Sequence, residues 1–441
     1  MKAERILPIV QSKSAALPFL VLLALVPALF FLPINHDTIW QMWLGRQMAG
    51  GAVLYRDIIE VNPPLWFWIG EPLAALGIDL RLTIIGFFIA LIALSLWLMP
   101  ARFRLLSLAV LLIVPLPDFG QREHFALITS VPYVMAIADR AKGQAPRYPV
   151  AIGLFAALGL CLKPYFLLLP LALELFVWRE RRARPEVLAL LSAVIVYAVS
   201  IPLLTPDYLT RAVPMVMRFY GDFGEHPNYV LLFSAFVLAG AGAWLGRRDG
   251  SPESRALLIA ALAFIPGVLI QAKGFPYHSI PVRGFLCLAI LTELTRLQRN
   301  PFADGLLVGS MVICCVPLGL YRNAFRSETE QHLAGVSRRT SIIVLANNPS
   351  MAWPMVEEHG LDWQLHEFSA WQVSAVVRNP EMLSEARAII APDLAKHPDL
   401  LIIDRRPFLG PVAHELVPAG YLGCYKLRLQ TPRMESFQRV C

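Results

Sequence analysis

Apolar runs broken by short basic clusters occupy the first three quarters of the chain, and they limit its fold more than any other feature. Runs at about 16–33, 82–99, 104–117, 124–138, 148–162, 165–178, 186–204, 229–246, 256–270, 281–296 and 303–320 are candidate membrane spans, because crossing a bilayer takes roughly 17–25 mostly apolar residues. Several are short, so their ends must run into polar flanks. Only 16% of the residues are charged and the mean hydropathy is +0.56, whereas a soluble domain is typically about 25% charged. An integral membrane protein is the class this predicts. The net charge of +7 lies in short Lys/Arg clusters between apolar runs. Phosphate-backbone binding needs a continuous basic face, so nucleic acid is not an expected partner. Lys2, Arg5 and Lys13 before the first run resemble a signal peptide, but no small-residue cleavage site follows, which predicts an uncleaved first span.

Residues 64–78 decide the expected topology. This run of about 15 residues contains Glu71 and Pro72 and stops at Gly77, which reads as an interfacial or re-entrant helix. With it uncrossed, Arg102 and Arg104, Arg140 to Arg147, Arg179 to Arg184, Arg247 to Arg255, and Arg296 with Arg299 all fall on the N-terminal side, as the positive-inside bias requires. The expected fold class is an all-α polytopic membrane protein with about eleven transmembrane helices, the N-terminus cytoplasmic and the C-terminus outside. Interfacial helices in the first outer loop and a small C-terminal α/β soluble domain complete it, with domains at 1–320 and 321–441. In that first loop Trp40, Trp43, Leu44 and Met48 recur at helical spacing, which predicts an amphipathic helix at headgroup depth ended by Gly50-Gly51. Thr38 and Gln41 have capping-box spacing. In the tail, strands are predicted at 341–346, 400–404 and 421–429 and a helix at 383–397.

The outward loops carry the chemistry. Asp37 follows the first run directly; it could serve as a general base, or cap a helix, or pair with Arg46 or Arg56. His36, Arg56 and Asp57 lie in the same loop. Asp118, Gln121, Arg122, Glu123 and His124 crowd one span exit. They could position an acceptor, grip an anion or hold a divalent cation, or Arg122 could simply neutralise Glu123. Lys163 stands alone between two apolar runs, as a phosphate partner or as a snorkelling anchor. Lys273, Tyr277 and His278 form a further corner, suited to a phosphate and a sugar or to an interfacial aromatic belt. The loop 205–229 could be a lid or a passive surface. Cys161, Cys287, Cys314 and Cys315 read as inert buried thiols; Cys424 and Cys441 could pair in an oxidising compartment.

These motifs, in this order, resemble the membrane-embedded C-type (GT-C fold) glycosyltransferases, in particular the protein mannosyltransferase and lipid A aminoarabinose transferase group. The acidic residue after the first span is matched by Asp37, the interfacial helix by 39–50, and the Pro-rich motif by Asn62-Pro63-Pro64-Leu65-Trp66, with Asn62 where that group usually has Lys. The second acidic residue is similar to Glu123, the later outward Lys to Lys163, and a Lys-x-x-x-Tyr-x-x-x-Pro pattern to Lys273, Tyr277 and Pro281. The resemblance spans about residues 16–300. It implies inverting transfer of a sugar from a polyprenyl-phosphate donor to an envelope glycan, lipid or protein at the outer face of the inner membrane. Asp37 would activate the acceptor, Lys163 and Lys273 would stabilise the leaving phosphate, and Glu123 and His124 would orient the acceptor. The rival classes are a lipid-linked glycan transporter, which would need an inverted repeat, and a ligase-type enzyme on a related scaffold.

Overall fold

The computed structural model describes residues 26–27, 29–32, 34–116, 118–178, 183–222, 250–271, 275–294 and 324–441. The chain forms two compact units. One contains Met1–Ile34, Ile78–Ala198 and Pro227–Leu320; the other joins Asn35–Gly77 and Val199–His226 to the tail Tyr321–Cys441.

The first unit is helical. Its centre is the helix Arg122–Ala141, in which every side chain from Arg122 to Ala138 is buried. Neighbours reach it at close range through small residues, the usual device for tight helix contact. Gly159, in Pro149–Leu160, lies against Ala126 and Thr129, where an added Cβ would sit 2.1 Å from Thr129 Oγ1. Gly284, in Ile280–Leu294, meets Leu127 in the same way. From Leu80–Leu98, which is capped by Asp79, Ser95 Oγ donates to the Ile128 carbonyl at 2.8 Å.

The described residues do not bear out eleven spans. Among the described residues three helices are long and apolar enough to cross a membrane: Leu80–Leu98, Pro185–Leu204 and Pro252–Gln271. Ala101–Ile113 has 13 residues and Pro149–Leu160 has 12. At 1.5 Å per residue these reach about 20 Å, short of the ~30 Å hydrocarbon core. Ile280–Leu294 is 15 residues long and carries Arg283 and Glu293. Arg122–Ala141 is long enough, but it begins Arg-Glu-His and ends Asp-Arg-Ala. Arg122–Ala141 and Ile280–Leu294 are apolar because protein surrounds them, and hydropathy cannot separate that from burial in lipid. Most of 16–33 and all of 229–246 and 303–320 lie outside the described residues.

The second unit is built on a five-stranded sheet of order β2-β1-β3-β5-β4, comprising β1 Ser341–Leu345, β2 Asp362–Trp363, β3 Leu400–Asp404, β4 Tyr425–Gln430 and β5 Met434–Arg439. β1 runs parallel to β2 and β3, and β5 runs antiparallel to β3 and β4. β1 and β3 are almost wholly buried runs of Ile, Val and Leu, as central strands covered on both faces must be. Cys424 and Cys441 form a disulfide. The loop that leaves the first apolar run packs into this unit. Its helix His36–Ala49 crosses Leu65–Ala75 where Gly45 meets Gly70. Trp40 and Trp43 stack on each other and lie against Trp353 of the tail, and Trp40 also stacks on Phe368. The helix expected at a membrane interface thus has its Trp face covered by protein, with Trp40 buried. Phe219 and Tyr220, from the stretch considered as a lid, pack edge-on against Trp371.

Candidate functional site

In the first unit, Glu123, Lys163 and His278 converge from three elements. Glu123 lies in the first turn of the central helix. Lys163, in extended backbone, precedes the turn Pro164–Leu167, which Pro164 opens. His278 lies in the turn Pro276–Ser279 that opens Ile280–Leu294. Lys163 Nζ donates to Glu123 Oε1 at 2.6 Å and to Gln271 Oε1 at 3.2 Å. His278 Nε2 lies 3.9 Å from the same Glu123 oxygen. All three side chains are buried. The other oxygen, Glu123 Oε2, is buried with no hydrogen-bond donor among the described residues. A carboxylate oxygen left so costs on the order of 1–3 kcal/mol or more unless something else supplies a donor.

Aromatic rings wall this cluster. Lys163 lies 5.7 Å from the Tyr165 ring and 6.0 Å from that of Phe166, within cation–π range. The Tyr165 ring rests on Gly267, where a Cβ would collide with it at 2.4 Å. Tyr277 stacks on Phe275 and meets His278 edge-on at 4.5 Å. Arg283 Nε donates to Ser279 Oγ at 3.0 Å, and Ser279 Oγ to the Pro276 carbonyl at 2.6 Å, which braces the turn presenting His278.

His124, next to Glu123, is occupied differently. Its Nδ1 accepts from the Gly120 N–H at 3.4 Å and its Nε2 donates to the Leu111 carbonyl at 2.9 Å. Both ring nitrogens therefore bond backbone, and the ring stacks on Phe88. Arg122 is also buried. Among the described residues no three His, Cys, Asp or Glu side chains are grouped to hold a metal ion. The Lys163 ammonium lies against the Glu123 carboxylate. Lys273 lies outside the described residues.

The far end of the central helix carries fixed charge. Arg140 forms a two-pronged pair with Glu186 at 2.9 and 3.0 Å. Lys142 reaches Asp139 at 2.8 Å and Glu253 at 3.0 Å, and Arg102 reaches Glu253 at 3.0 Å. Seventeen residues of helix separate Glu123 from Arg140, a rise of about 26 Å.

Asp37 belongs to the second unit. Asn35 caps its helix, accepting from the Asp37 N–H at 3.0 Å, so Asp37 is not the cap. His36 Nε2 lies 3.3 Å from Asp37 Oδ1, and His36 Nδ1 lies 3.1 Å from Ser350 Oγ. Burial holds the His36 pKa below its usual value, against the opposing pull of Asp37. Arg46 pairs with Glu357 at 2.5 Å. Arg56 and Asp57 pair with each other at 3.2 Å and are exposed. Glu60 accepts from Trp40 Nε1 at 2.7 Å and from the Val61 and Asn62 backbone, which shapes the Asn62-Pro63-Pro64 corner.

A second buried polar group lies in the tail. His366 Nδ1 bonds Asp393, and its Nε2 lies 3.7 Å from Glu367 Oε1. Gln372 donates to both Glu367 oxygens, and Lys396 to Asp393 at 2.7 Å. Burial pushes the Glu367 carboxyl up to about 7. Burial would lower His366, but the Asp393 hydrogen bond and the two nearby carboxylates raise it.

Gln271, Arg283 and Ser350 were not singled out by sequence. Arg283 had a readable signal, a lone guanidinium inside an apolar run. Ser350 had none. The chain matches no protein-family model and no curated protein sequence.

Proposed function

We propose that this protein is a membrane-bound glycosyltransferase that moves a sugar from a polyprenyl-phosphate donor to an envelope glycan, lipid or protein acceptor at the outer face of the cell's inner membrane. The observation that carries the reading is the Glu123 carboxylate, held on one oxygen by Lys163 with its other oxygen buried and lacking a donor among the described residues. An acceptor hydroxyl or amine supplies that donor. Lys163, walled by Tyr165 and Phe166, suits the phosphate of a greasy carrier, and its positive charge stabilises the leaving phosphate. The base that takes the acceptor proton is assigned, by the resemblance of the motifs, to Asp37, which His36 buttresses. The acceptor oxygen or nitrogen bonds the anomeric carbon as the sugar–phosphate C–O bond breaks, and the electron pair leaves on polyprenyl phosphate.

A membrane setting is supported by the helix Pro185–Leu204, whose Ile195, Val196, Leu203 and Leu204 are all more than 60% exposed. A row of exposed aliphatic residues on that scale needs an apolar neighbour. The Cys424–Cys441 disulfide suits a tail outside the cytoplasm.

The test is mass spectrometry of envelope glycans and lipid-linked intermediates in a deletion strain. Loss of one sugar from an acceptor, with accumulation of its polyprenyl-phosphate form, is the expected result. Unchanged glycans and unchanged intermediates would refute the assignment.

A further inference from the structure

His36 lies between two groups brought together from opposite ends of the sequence. Asp37 is its chain neighbour, and Ser350 is 314 residues away, in the turn Pro349–Met351 that follows β1. Ser350 is itself fixed, since its N–H donates to Asn348 Oδ1 at 2.9 Å. A neutral imidazole has one N–H and one lone pair. With Nε2 at 3.3 Å from the Asp37 carboxylate, a lone pair there would face a negative oxygen, so the proton belongs on Nε2. Nδ1 then carries the lone pair, and the Ser350 hydroxyl at 3.1 Å must donate to it. The ring is buried and Phe368 lies 5.7 Å from it, which leaves it little room to turn.

We propose that Ser350 is a positioning residue for Asp37: its hydroxyl fixes His36 in the Nε2–H tautomer, which holds the carboxylate in place. The tail thus supplies part of the support for the base of the first loop. This rests on the role assigned to Asp37 above.

The test uses the full chain labelled with 15N-histidine, with His36 assigned through a His36→Gln variant, and imidazole nitrogen shifts read by NMR. The wild type should show a protonated Nε2 and an unprotonated Nδ1 at His36, and Ser350→Ala should move both signals while Ser350→Thr restores them. A wild-type ring protonated on Nδ1, or signals unmoved in Ser350→Ala, would overturn the proposal. In the deletion strain, Ser350→Ala at equal protein level should cut sugar incorporation by roughly two- to tenfold, the usual effect of losing one neutral hydrogen bond, and Ser350→Thr should recover it. If the tautomer behaves as stated and Asp37→Asn abolishes incorporation while Ser350→Ala does not reduce it, the positioning role is wrong. If Asp37→Asn and Ser350→Ala both leave incorporation intact, the contact stands and the role assigned to Asp37 fails, whereas a deletion strain with unchanged glycans would refute the transferase reading itself.

Discussion

Replacing Lys163 by Met isolates what the buried pair contributes. At 2.6 Å the gross attraction between the two charges is about 6 kcal/mol for an effective dielectric constant of 20, before either charge's desolvation is counted. The variant leaves Glu123 buried with its ammonium partner gone and one oxygen lacking a donor among the described residues. Breaking a buried pair from one side typically costs about 3–5 kcal/mol, whereas replacing both partners by neutral groups of similar volume is often close to neutral. The Lys163→Met single variant should therefore lose about 3–5 kcal/mol. The Lys163→Met, Glu123→Gln double variant should recover most of that loss. Both are to be measured by denaturant unfolding of the protein in one detergent, beside wild type and Glu123→Gln. A single variant that loses less than about 1 kcal/mol, or a double variant no more stable than the single, would show that the two charges are not a desolvated pair.

Asp37→Asn should leave the protein folded and lower sugar incorporation by roughly 10²–10⁴-fold, the range for removing a general base; full incorporation would remove Asp37 from the chemistry. Gly159→Ala should cost about 1–3 kcal/mol in thermal unfolding, because the new methyl would lie 2.1 Å from Thr129 Oγ1 and 2.8 Å from Ala126 Cα; an unchanged midpoint would mean the two helices are not in close contact. Between pH 4.5 and about 7 folded Glu367 keeps a proton that the unfolded chain has released, and His366, also raised, acts in the same direction at higher pH. Stability should therefore fall as pH rises through that window, by about 3 kcal/mol from Glu367 at roughly 1.4 kcal/mol per pH step. Glu367→Gln should flatten the profile in pH-dependent thermal melts, and an unaltered slope would exclude this group.

Local pattern carried the tail well. Ser341–Leu345 and Leu400–Asp404 are short apolar runs between turn signals, and Leu383–Leu394 has helical spacing. β5, Met434–Arg439, was missed because its Glu435, Gln438 and Arg439 give no apolar alternation; it is held by pairing with β3 and β4. The helical unit was overcounted for the opposite reason. Apolar content recorded burial correctly, but burial of Arg122–Ala141 among other helices looks in sequence like burial in lipid. Polar residues at run ends, such as Glu123, Lys163 and His278, were conspicuous one by one. Their grouping was not, because Lys163 and Glu123 are 40 residues apart and Glu123 has a nearer partner on paper in Arg122. Sequence alone places Trp40 and Trp43 at headgroup depth because the partners that cover them, Trp353 and Phe368, lie some 300 positions later.

That long sequence separation also bears on biogenesis. At about 5–20 residues per second, the ribosome needs roughly 15 to 60 s after emitting His36 to emit Ser350, 314 residues on. Through that interval the nascent chain presents two unsheltered indoles and a charged helix start to whatever chaperone or insertion machinery is at hand. Termination anywhere before the sheet is complete would strand that segment permanently. Nonsense mutations late in the reading frame should accordingly be cleared by proteolysis, even though they spare every residue of the Glu123 cluster.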